Sequence, residues 1–321
     1  MKRRYSALVV LAAALITVRP GTVCGQQYPV KPVRIISPFV AGGMGDLLPR
    51  AIAQGLTETL GQQVIVENRP GASQILGMQL AAKSLPDGYT LVFATVTSLA
   101  TNVSAFKSLP YNPVRDFAPV GLCCTTPLYL VVHPSVPVKT VKQLIALAKA
   151  QPGKLAFASG GHGTTNHLAG EMFKLLTGVD MLHVPYKSAA PAMIDVMAGH
   201  VSLMFGAAGL SEARVGKVRL LAVTTARRFP GAPDIPTVQE GGVPEFDVTL
   251  WWAMLAPAGT PPAIVTRLSQ DNANVLRQPA MRERFNTLEL TPSTPEALGE
   301  LIQLEIPKWR KVFEAAKIPP E

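Results

Sequence analysis

Short apolar segments alternate with helical patterns along most of this chain, and this alternation restricts the fold more than any other feature. The first part of the pattern predicts strands at residues 34–37, 64–66 and 90–94, with helices between them at 47–60 and 74–83. That order is typical of a parallel sheet, because a parallel connection needs a crossover helix. The pattern begins again near residue 128. Further strands are predicted at 128–132, 155–158, 181–184, 201–205, 220–224 and 248–255, and helices after residue 140, at 164–177, at 189–198 and from residue 262 onward. The sequence therefore predicts two α/β lobes.

The N-terminus carries the three parts of a secretory signal peptide. Basic residues at positions 2–4 precede an apolar run at 7–18, and Pro20 and Gly21 then break the helix. Small residues precede a cleavage site after Gly25, which predicts that residues 1–25 direct export to the periplasm. Lipid attachment at Cys24 stays open as an alternative, although the preceding residues fit a lipobox poorly.

The charge balance argues against a nucleic-acid partner. The whole chain has a formal charge of +9, but 26 basic and 21 acidic residues remain after residue 25, which leaves +5. These charges are dispersed, with Arg227 and Arg228 as the densest cluster, and no basic stripe alternates with aromatic residues. A mildly cationic exported protein is better suited to small anionic ligands.

The adjacent residues Cys123 and Cys124 are the only cysteines after residue 25. An exported disulfide scaffold would carry many more. We expect both to pack as small hydrophobic residues in an apolar strand at 120–124, and the alternative is a redox or metal-binding pair.

Two glycine-rich segments each follow a predicted strand and open a predicted helix. The first covers residues 38–46 and the second residues 159–167. Backbone N–H groups at a helix N-terminus favour an anion, and glycines let the anion approach closely. Neither segment matches a phosphate-binding motif. Because each lobe contains one segment, the pattern favours a ligand with two acidic ends, and tight turns without a ligand are the alternative for either segment alone.

No catalytic or metal-binding motif stands out. His162 and His167 are five residues apart, which is not the spacing that places two ligands on one helix face, and three other histidines, at 133, 183 and 200, look isolated and structural. Asp46 fits a helix N-cap at least as well as a ligand contact. His167 fits a ligand contact and a bond to its own loop equally well. Lys187 is either a ligand cation or simply solvated.

Ordered motifs throughout the chain resemble the substrate-binding receptors of the tripartite tricarboxylate transporters, the Bug receptors. They comprise 28–32, 38–46, 66–72, 86–90, 109–119, 163–171, 184–187, 236–240 and 255–261. The resemblance implies a type II periplasmic binding protein fold, with two α/β lobes joined by crossing strands and a ligand cleft between them. It divides the chain into the signal peptide, 26–124 plus 226–321 as the first lobe, and 125–225 as the second.

The same resemblance implies which residues hold the ligand. In the first lobe these are Phe39, Ala41, Gly42, Gly43 and Asp46, with Thr97 and Ser98 as further contacts. In the second lobe they are Ser159, Gly163, Thr164, Thr165 and His167, with Tyr186 as a further contact. No cofactor, metal or catalytic residue is implied.

Four positions depart from the family pattern. Met44 and Gly45 stand where a small residue and a Thr or Ser are common, Ser188 replaces a common Gly, and Gly206 replaces a common Asp. Loss of that carboxylate argues against an amino-acid ligand, whose ammonium group it would pair with, and is expected to leave space near the cleft.

The resemblance implies a monomeric periplasmic receptor that captures a di- or tricarboxylate or an aromatic acid. The receptor would close over it as a Venus flytrap does and deliver it to the permease subunits of a tripartite transporter in the membrane. Two alternatives stay open. One is a sensor that presents its closed form to a signalling system, and the other is an enzyme on the same scaffold that uses Asp46 or His167 as a general acid or base.

Overall fold

A computed structural model describes residues 28–321 as two α/β lobes. The predicted signal peptide and the alternative lipid site at Cys24 lie outside the described residues. No helix in the described part of the chain is both long and apolar enough to cross a membrane.

The first lobe is built on a five-stranded sheet in the order β2-β1-β3-β10-β4. Strands β1 and β2 and strands β1 and β3 pair in parallel, and β10 runs antiparallel to both β3 and β4. Its first elements are β1 (Val33–Ser37), α1 (Met44–Leu60), β2 (Val64–Asn68), α2 (Ile75–Ala82) and β3 (Thr90–Thr95). A π-helical turn (Thr97–Thr101), α3 (Asn102–Ala105) and β4 (Phe117–Pro127) follow. After the second lobe the chain adds β10 (Thr249–Pro257), α8 (Pro262–Arg277), α9 (Pro279–Arg284) and α10 (Pro295–Ala315).

The second lobe contains a sheet of the same layout, in the order β7-β6-β8-β5-β9. Strand β6 pairs in parallel with β7 and β8, and β5 runs antiparallel to β8 and β9. The elements are β5 (Tyr129–Val132), α4 (Val141–Ala150), β6 (Ala156–Ser159), α5 (Thr165–Thr177), β7 (Leu182–Pro185), α6 (Ala189–Met197), β8 (Leu203–Gly206), α7 (Gly209–Arg214) and β9 (Arg219–Val223). The carboxyl ends of β6 and β8 therefore lie at one edge of this sheet, which is where open α/β sheets bind ligands.

The two connections between the lobes are joined by the side chain of Thr224, which is fully buried. Its hydroxyl donates to the carbonyl oxygen of Val248 at 2.6 Å and accepts from the N–H of Leu128 at 2.9 Å. The predicted crossing strands are thus present as β4–β5 and β9–β10. The lobe boundaries predicted at residues 124 and 226 stay predictions. The segment around residues 236–238, which follows β9, pairs with the end of that strand. The N–H of Val223 donates to the carbonyl of Pro236, and the N–H of Val238 donates to the carbonyl of Val223.

Most predicted elements are confirmed, and the differences have local causes. The sequence pattern predicts no helix at Thr97–Ala105 or at Gly209–Arg214, where the structure has short helical segments. Neither segment is long enough to show a helical repeat of apolar residues. The apolar strand around the two cysteines is longer than predicted, as β4. Cys123 and Cys124 are fully buried and free, so the expected packing role is confirmed.

Candidate functional site

The first glycine loop connects β1 to α1, and its local geometry follows from two residues that flank it. Pro49 has no N–H, so the carbonyl of Gly45 loses the donor that a helix would supply. The hydroxyl of Ser37, at the end of β1, donates to that carbonyl at 2.7 Å instead. This bond fixes the start of α1 beside the end of β1. The helix begins at Met44, three residues earlier than predicted.

Asp46 is therefore inside the first turn of α1, and the prediction that it is the N-cap is wrong, because Gly43 takes that position. Its buried carboxylate accepts hydrogen bonds from Arg50 Nε at 2.8 Å, Asn68 Nδ2 at 2.8 Å and the N–H of Gly42 at 3.0 Å. The Arg50 hydrogen bond, with those from Gly42 and Asn68, lowers the pKa of Asp46 to about 2. The carboxylate thus fixes the conformation of the loop by linking Gly42 to Arg50 and Asn68.

The loop itself presents bare backbone. Ala41, Gly42 and Gly43 are exposed. Gly42 has a φ of +90°, which only glycine adopts readily. Among the described residues, the N–H groups of Gly43, Met44 and Gly45 have no hydrogen-bond acceptor. Such free donors at a helix N-terminus form an anion site. The ring of Phe39 packs against Gly45 and is partly buried.

The second glycine loop connects β6 to α5 and is organised by Ser159 and His167. The hydroxyl of Ser159 accepts from the N–H of Gly161 at 3.1 Å, and His167 Nδ1 accepts from the N–H of Gly163 at 3.2 Å. The hydroxyl of Thr164 donates to the carbonyl of Gly161 at 2.7 Å. The sequence left two roles open for His167, a ligand contact and a bond to its own loop. The structure shows the bond to the loop, and the side chain is only 3% exposed.

His183 is not isolated, which corrects the expectation from sequence. The parallel pairing of β6 with β7 places it beside Ser159, with 2.7 Å between His183 Nε2 and the serine hydroxyl. Its ring stacks on that of His167 at a centroid distance of 3.9 Å, and His162 lies 5.4 Å from His167. Burial and the neighbouring histidines lower the pKa of His167 to about 3. Burial, with His162 and Lys174, lowers the pKa of His183 to about 4. Within residues 28–321, no group of side chains has the composition and geometry of a metal site.

The two lobes meet at the turn that follows β3. The hydroxyl oxygens of Thr97 and Thr165 lie 3.3 Å apart, and the hydroxyl of Thr101 donates to the carbonyl of Gly163 at 2.9 Å. The sequence pattern does not reveal Thr101 as a contact, since it lies in the unpredicted helical segment. The structure thus brings the turn at Thr97 and the loop at Gly163 and Thr165 together.

Ser98 and Tyr186 use their hydroxyl groups within their own lobes. The hydroxyl of Ser98 donates to the carbonyl and accepts from the N–H of Thr95, and the side chain is fully buried. Tyr186 donates to Asp195 Oδ2 at 2.6 Å. Burial, with this bond, raises the pKa of Tyr186 to about 12. Lys187 is exposed.

Gly206, where the family pattern has Asp, does not leave open space, which contradicts the expectation from sequence. A Cβ at this position would lie 2.8 Å from Met193 Cε and 3.4 Å from Met204 Sδ. The two methionines fill the volume that a longer side chain would need. The sequence could not show this contact, because Met193 lies in α6 and Gly206 in β8, and the two meet only when the helix packs on the sheet.

Known proteins match this fold and this chain closely. A family model described as "Tripartite tricarboxylate transporter family receptor" matches residues 48–318. The protein BugT of Bordetella pertussis is 37% identical over 295 residues, covering 90% of this chain and 90% of BugT.

Two solved structures from Rhodopseudomonas palustris superpose well. The structure described as Rpa4515 with adipate has a TM-score of 0.85 at 36% identity and covers 92% of this chain and 100% of its own. MatC with bound malate has a TM-score of 0.79 at 30% identity and covers 89% of this chain and 99% of its own. The resemblance inferred from the sequence motifs is therefore confirmed, and the chain belongs to the receptor family of the tripartite tricarboxylate transporters.

Proposed function

We propose that this protein is a periplasmic receptor that captures an organic dicarboxylate between its two glycine loops and delivers it to a tripartite transporter permease. One observation carries the proposal. Two helices from different lobes, α1 and α5, each begin at a glycine-rich loop, and within residues 28–321 the first turn of α1 has N–H groups without acceptors. Charge-assisted bonds from such donors suit carboxylate oxygens. Adipate and malate in the related R. palustris proteins are ligands of the same chemistry.

The proposed ligand contacts are drawn from the set predicted from sequence. Phe39 and the exposed loop at 41–43 would contact the ligand from the first lobe. The hydroxyl groups of Thr97, Thr164 and Thr165 would have to exchange a bond within the protein for one to the ligand. The remaining members of the set would act mainly by holding these groups in place, because their side chains or carbonyls already bond within the protein; they are Asp46, Ser98, Ser159, Gly163, His167 and Tyr186. The ligand would favour the closed form only by its higher affinity for it.

We propose further that the ligand is released unchanged. Asp46 and His167, the two residues that an enzyme on this scaffold would use, are both engaged in holding their loops. A carboxyl group with a pKa of about 2 is a poor general acid or base at neutral pH. Export through residues 1–25, a monomeric state and the absence of a nucleic-acid partner belong to the same proposal.

A thermal-shift and calorimetric screen tests the proposal. The panel comprises C4 to C10 dicarboxylates, tricarboxylates and aromatic acids. A ligand at about 100 times its Kd should add about 2.7 kcal/mol of stability. Chromatography of the recovered ligand checks that it is unchanged, and co-purification of permease subunits from membranes checks the partner. The absence of a response to every acid in the panel would contradict the proposal.

A further inference from the structure

The turn before α2 holds three consecutive residues in the left-handed region of backbone conformation. Ala72, Ser73 and Gln74 have φ angles of +45°, +49° and +76°, and none of the three is glycine. A side chain disfavours this conformation, because its Cβ comes too close to the backbone carbonyl. Such strain persists only where the surrounding structure imposes it, and it is common at binding sites. A side chain in this turn is therefore expected to do something that glycine could not.

Both the backbone of this turn and the side chain of Gln74 are anchored to the first lobe. Asn102, which is fully buried, donates from Nδ2 to the carbonyl of Ser73 at 2.8 Å. The hydroxyl of Thr95, at the end of β3, donates to Gln74 Oε1 at 3.0 Å. The carboxamide group of Gln74 is thus held in one place.

Thr95 also determines which end of this carboxamide is free. Its hydroxyl oxygen accepts from the N–H of Thr97 at 3.2 Å, so its single proton is available for Gln74 Oε1. The opposite end of the amide, Nε2, has no acceptor within residues 28–321. Gln74 is partly exposed, and Nε2 remains in contact with solvent. Gln74 therefore offers a fixed and accessible N–H donor.

This donor lies close to the place where the two lobes touch. Thr97, which bonds to Thr95, has its hydroxyl oxygen 3.3 Å from that of Thr165 in the first turn of α5. Two hydrogen bonds thus connect Gln74 to Thr97 at the contact between the lobes.

The first glycine loop lies at the same edge of the sheet. Strands β1 and β3 are parallel, so the glycine loop and the turn after β3 both follow carboxyl ends, where open α/β sheets bind ligands. Helix α2 begins between the two, since a Cβ at Gly77 in its first turn would lie 2.7 Å from Pro38 Cβ, while Gln74 reaches Thr95. The Gln74 amide and the free N–H groups of α1 are therefore donors at one edge.

We infer that Gln74 is a specificity-determining ligand contact, whose Nε2 donates a hydrogen bond to a carboxylate oxygen of the bound acid. An uncharged amide leaves water at a smaller cost in free energy than an ammonium or guanidinium group does. A ligand that placed an N–H donor there would leave the Nε2 hydrogens without an acceptor, so the contact selects for oxygen. This inference rests on the proposed function, because it adds a contact to the same ligand.

Two variants at this position separate a ligand contact from a structural role. Gln74→Glu keeps an oxygen that accepts from Thr95 but replaces the donor with a second, negatively charged oxygen. Gln74→Gly relieves the backbone but loses the bond to Thr95. A ligand contact predicts that Kd rises at least tenfold in Gln74→Glu and about threefold in Gln74→Gly. A purely structural role predicts the larger loss for Gln74→Gly, because only that variant loses the bond to Thr95.

Gln79→Glu is the matched control, because it introduces the same charge on α2 more than one turn further along the helix. This control should bind with an unchanged Kd. Calorimetry compares the three variants with the wild type, and the probes are citrate and the straight-chain dicarboxylates from succinate to sebacate. Equal weakening by Gln74→Glu and Gln79→Glu would show that only distant charge repulsion acts, and would overturn the inference.

The outcomes for the inference and for the proposed function differ. If neither these probes nor any other acid of the panel binds the wild type, the proposed function is contradicted and the inference with it. If acids bind the wild type and both Gln74 variants with equal Kd, or if Gln74→Gly weakens binding more than Gln74→Glu, only the inference is wrong. The side chain is partly exposed, so both variants should fold, and thermal unfolding without ligand checks this.

Discussion

The hydroxyl of Thr101 in the first lobe donates a hydrogen bond to the carbonyl of Gly163 in the second lobe, at 2.9 Å. Both groups are buried. The hydroxyl pair of Thr97 and Thr165 lies beside this bond, and Ala105 packs close to Gly163. The lobes are therefore in contact at the turn after β3. In contrast, the hydrogen bonds of the first glycine loop are all made within its own lobe.

Removal of the Thr101 hydroxyl should weaken ligand binding. Thr101→Val keeps the shape of the side chain but leaves the Gly163 carbonyl without its donor where the lobes touch, so it should disfavour the arrangement in which they are in contact. An unsatisfied buried carbonyl costs about 1–2 kcal/mol, which corresponds to about a five- to thirtyfold increase in Kd. Calorimetry with the best acid of the panel measures the change.

Thr177→Val is the matched control for this variant. The Thr177 hydroxyl donates to the carbonyl of Phe173 within α5, so its loss affects one lobe only. We expect this control to bind with an unchanged Kd. Equal weakening by both variants would show that the Thr101 bond has no special role in closure.

Close approach of the lobes should also require glycine at position 163. Its φ is +68°, and a Cβ would lie 2.6 Å from Ala105 Cβ. Gly163→Ala should therefore lose more than tenfold in affinity through the clash between the lobes, while backbone strain of about 1–2 kcal/mol lowers the stability of the folded protein with or without ligand. The double variant with Ala105→Gly relieves the clash and should recover most of the affinity but not the stability. No recovery of affinity would mean that the clash does not explain the loss.

How far the sequence predicts this molecule depends on the range of the interactions. The glycine loops are local signals, so both were found together with the strands and helices around them. His183 and Met193 show where such reasoning ends. Their partners, His167 and Gly206, become neighbours only through strand pairing and helix packing, and one sequence gives no information on that register. Thr101 was missed for a different reason, because its helical segment is too short to produce a periodic pattern.

Asp46 should contribute to stability in a pH-dependent way. Its pKa of about 2 in the folded protein lies below the ordinary value of 3.8, so its contribution is present above pH 4 and is lost as the pH falls toward 2. Asp46→Asn should therefore reduce the free energy of unfolding by about 2 kcal/mol at neutral pH. Below pH 4 the difference between the variant and the wild type should shrink.

Denaturant titrations at several pH values measure this difference. Asp234→Asn removes an exposed aspartate and should change the free energy of unfolding little at any pH. A difference between wild type and Asp46→Asn that stayed constant from pH 7 to pH 3 would exclude a contribution from the carboxylate charge.

The stacked pair of His167 and His183 should make the protein less stable in mild acid. Both pKa values are lowered from 6.5, to about 3 and about 4, chiefly by burial. As the pH falls below 6.5 the unfolded chain takes up protons that the folded protein excludes. Each histidine should then remove up to about 1.4 kcal/mol of stability per pH unit, until its folded pKa is reached. The positive charge of Lys174, which lies near both rings, opposes their protonation. Its ammonium group donates a hydrogen bond to Glu171 Oε1 at 3.0 Å.

His183→Gln should remove one of these two contributions while its amide can still bond to Ser159. Between pH 6 and pH 4.5 the free energy of unfolding of the variant should fall less steeply than that of the wild type, by about 1 kcal/mol per pH unit. His200→Gln is the control for the loss of an exposed histidine, because that side chain is 70% exposed. Parallel curves for His183→Gln and wild type would mean that His183 is protonated as readily in the folded protein as in the unfolded chain.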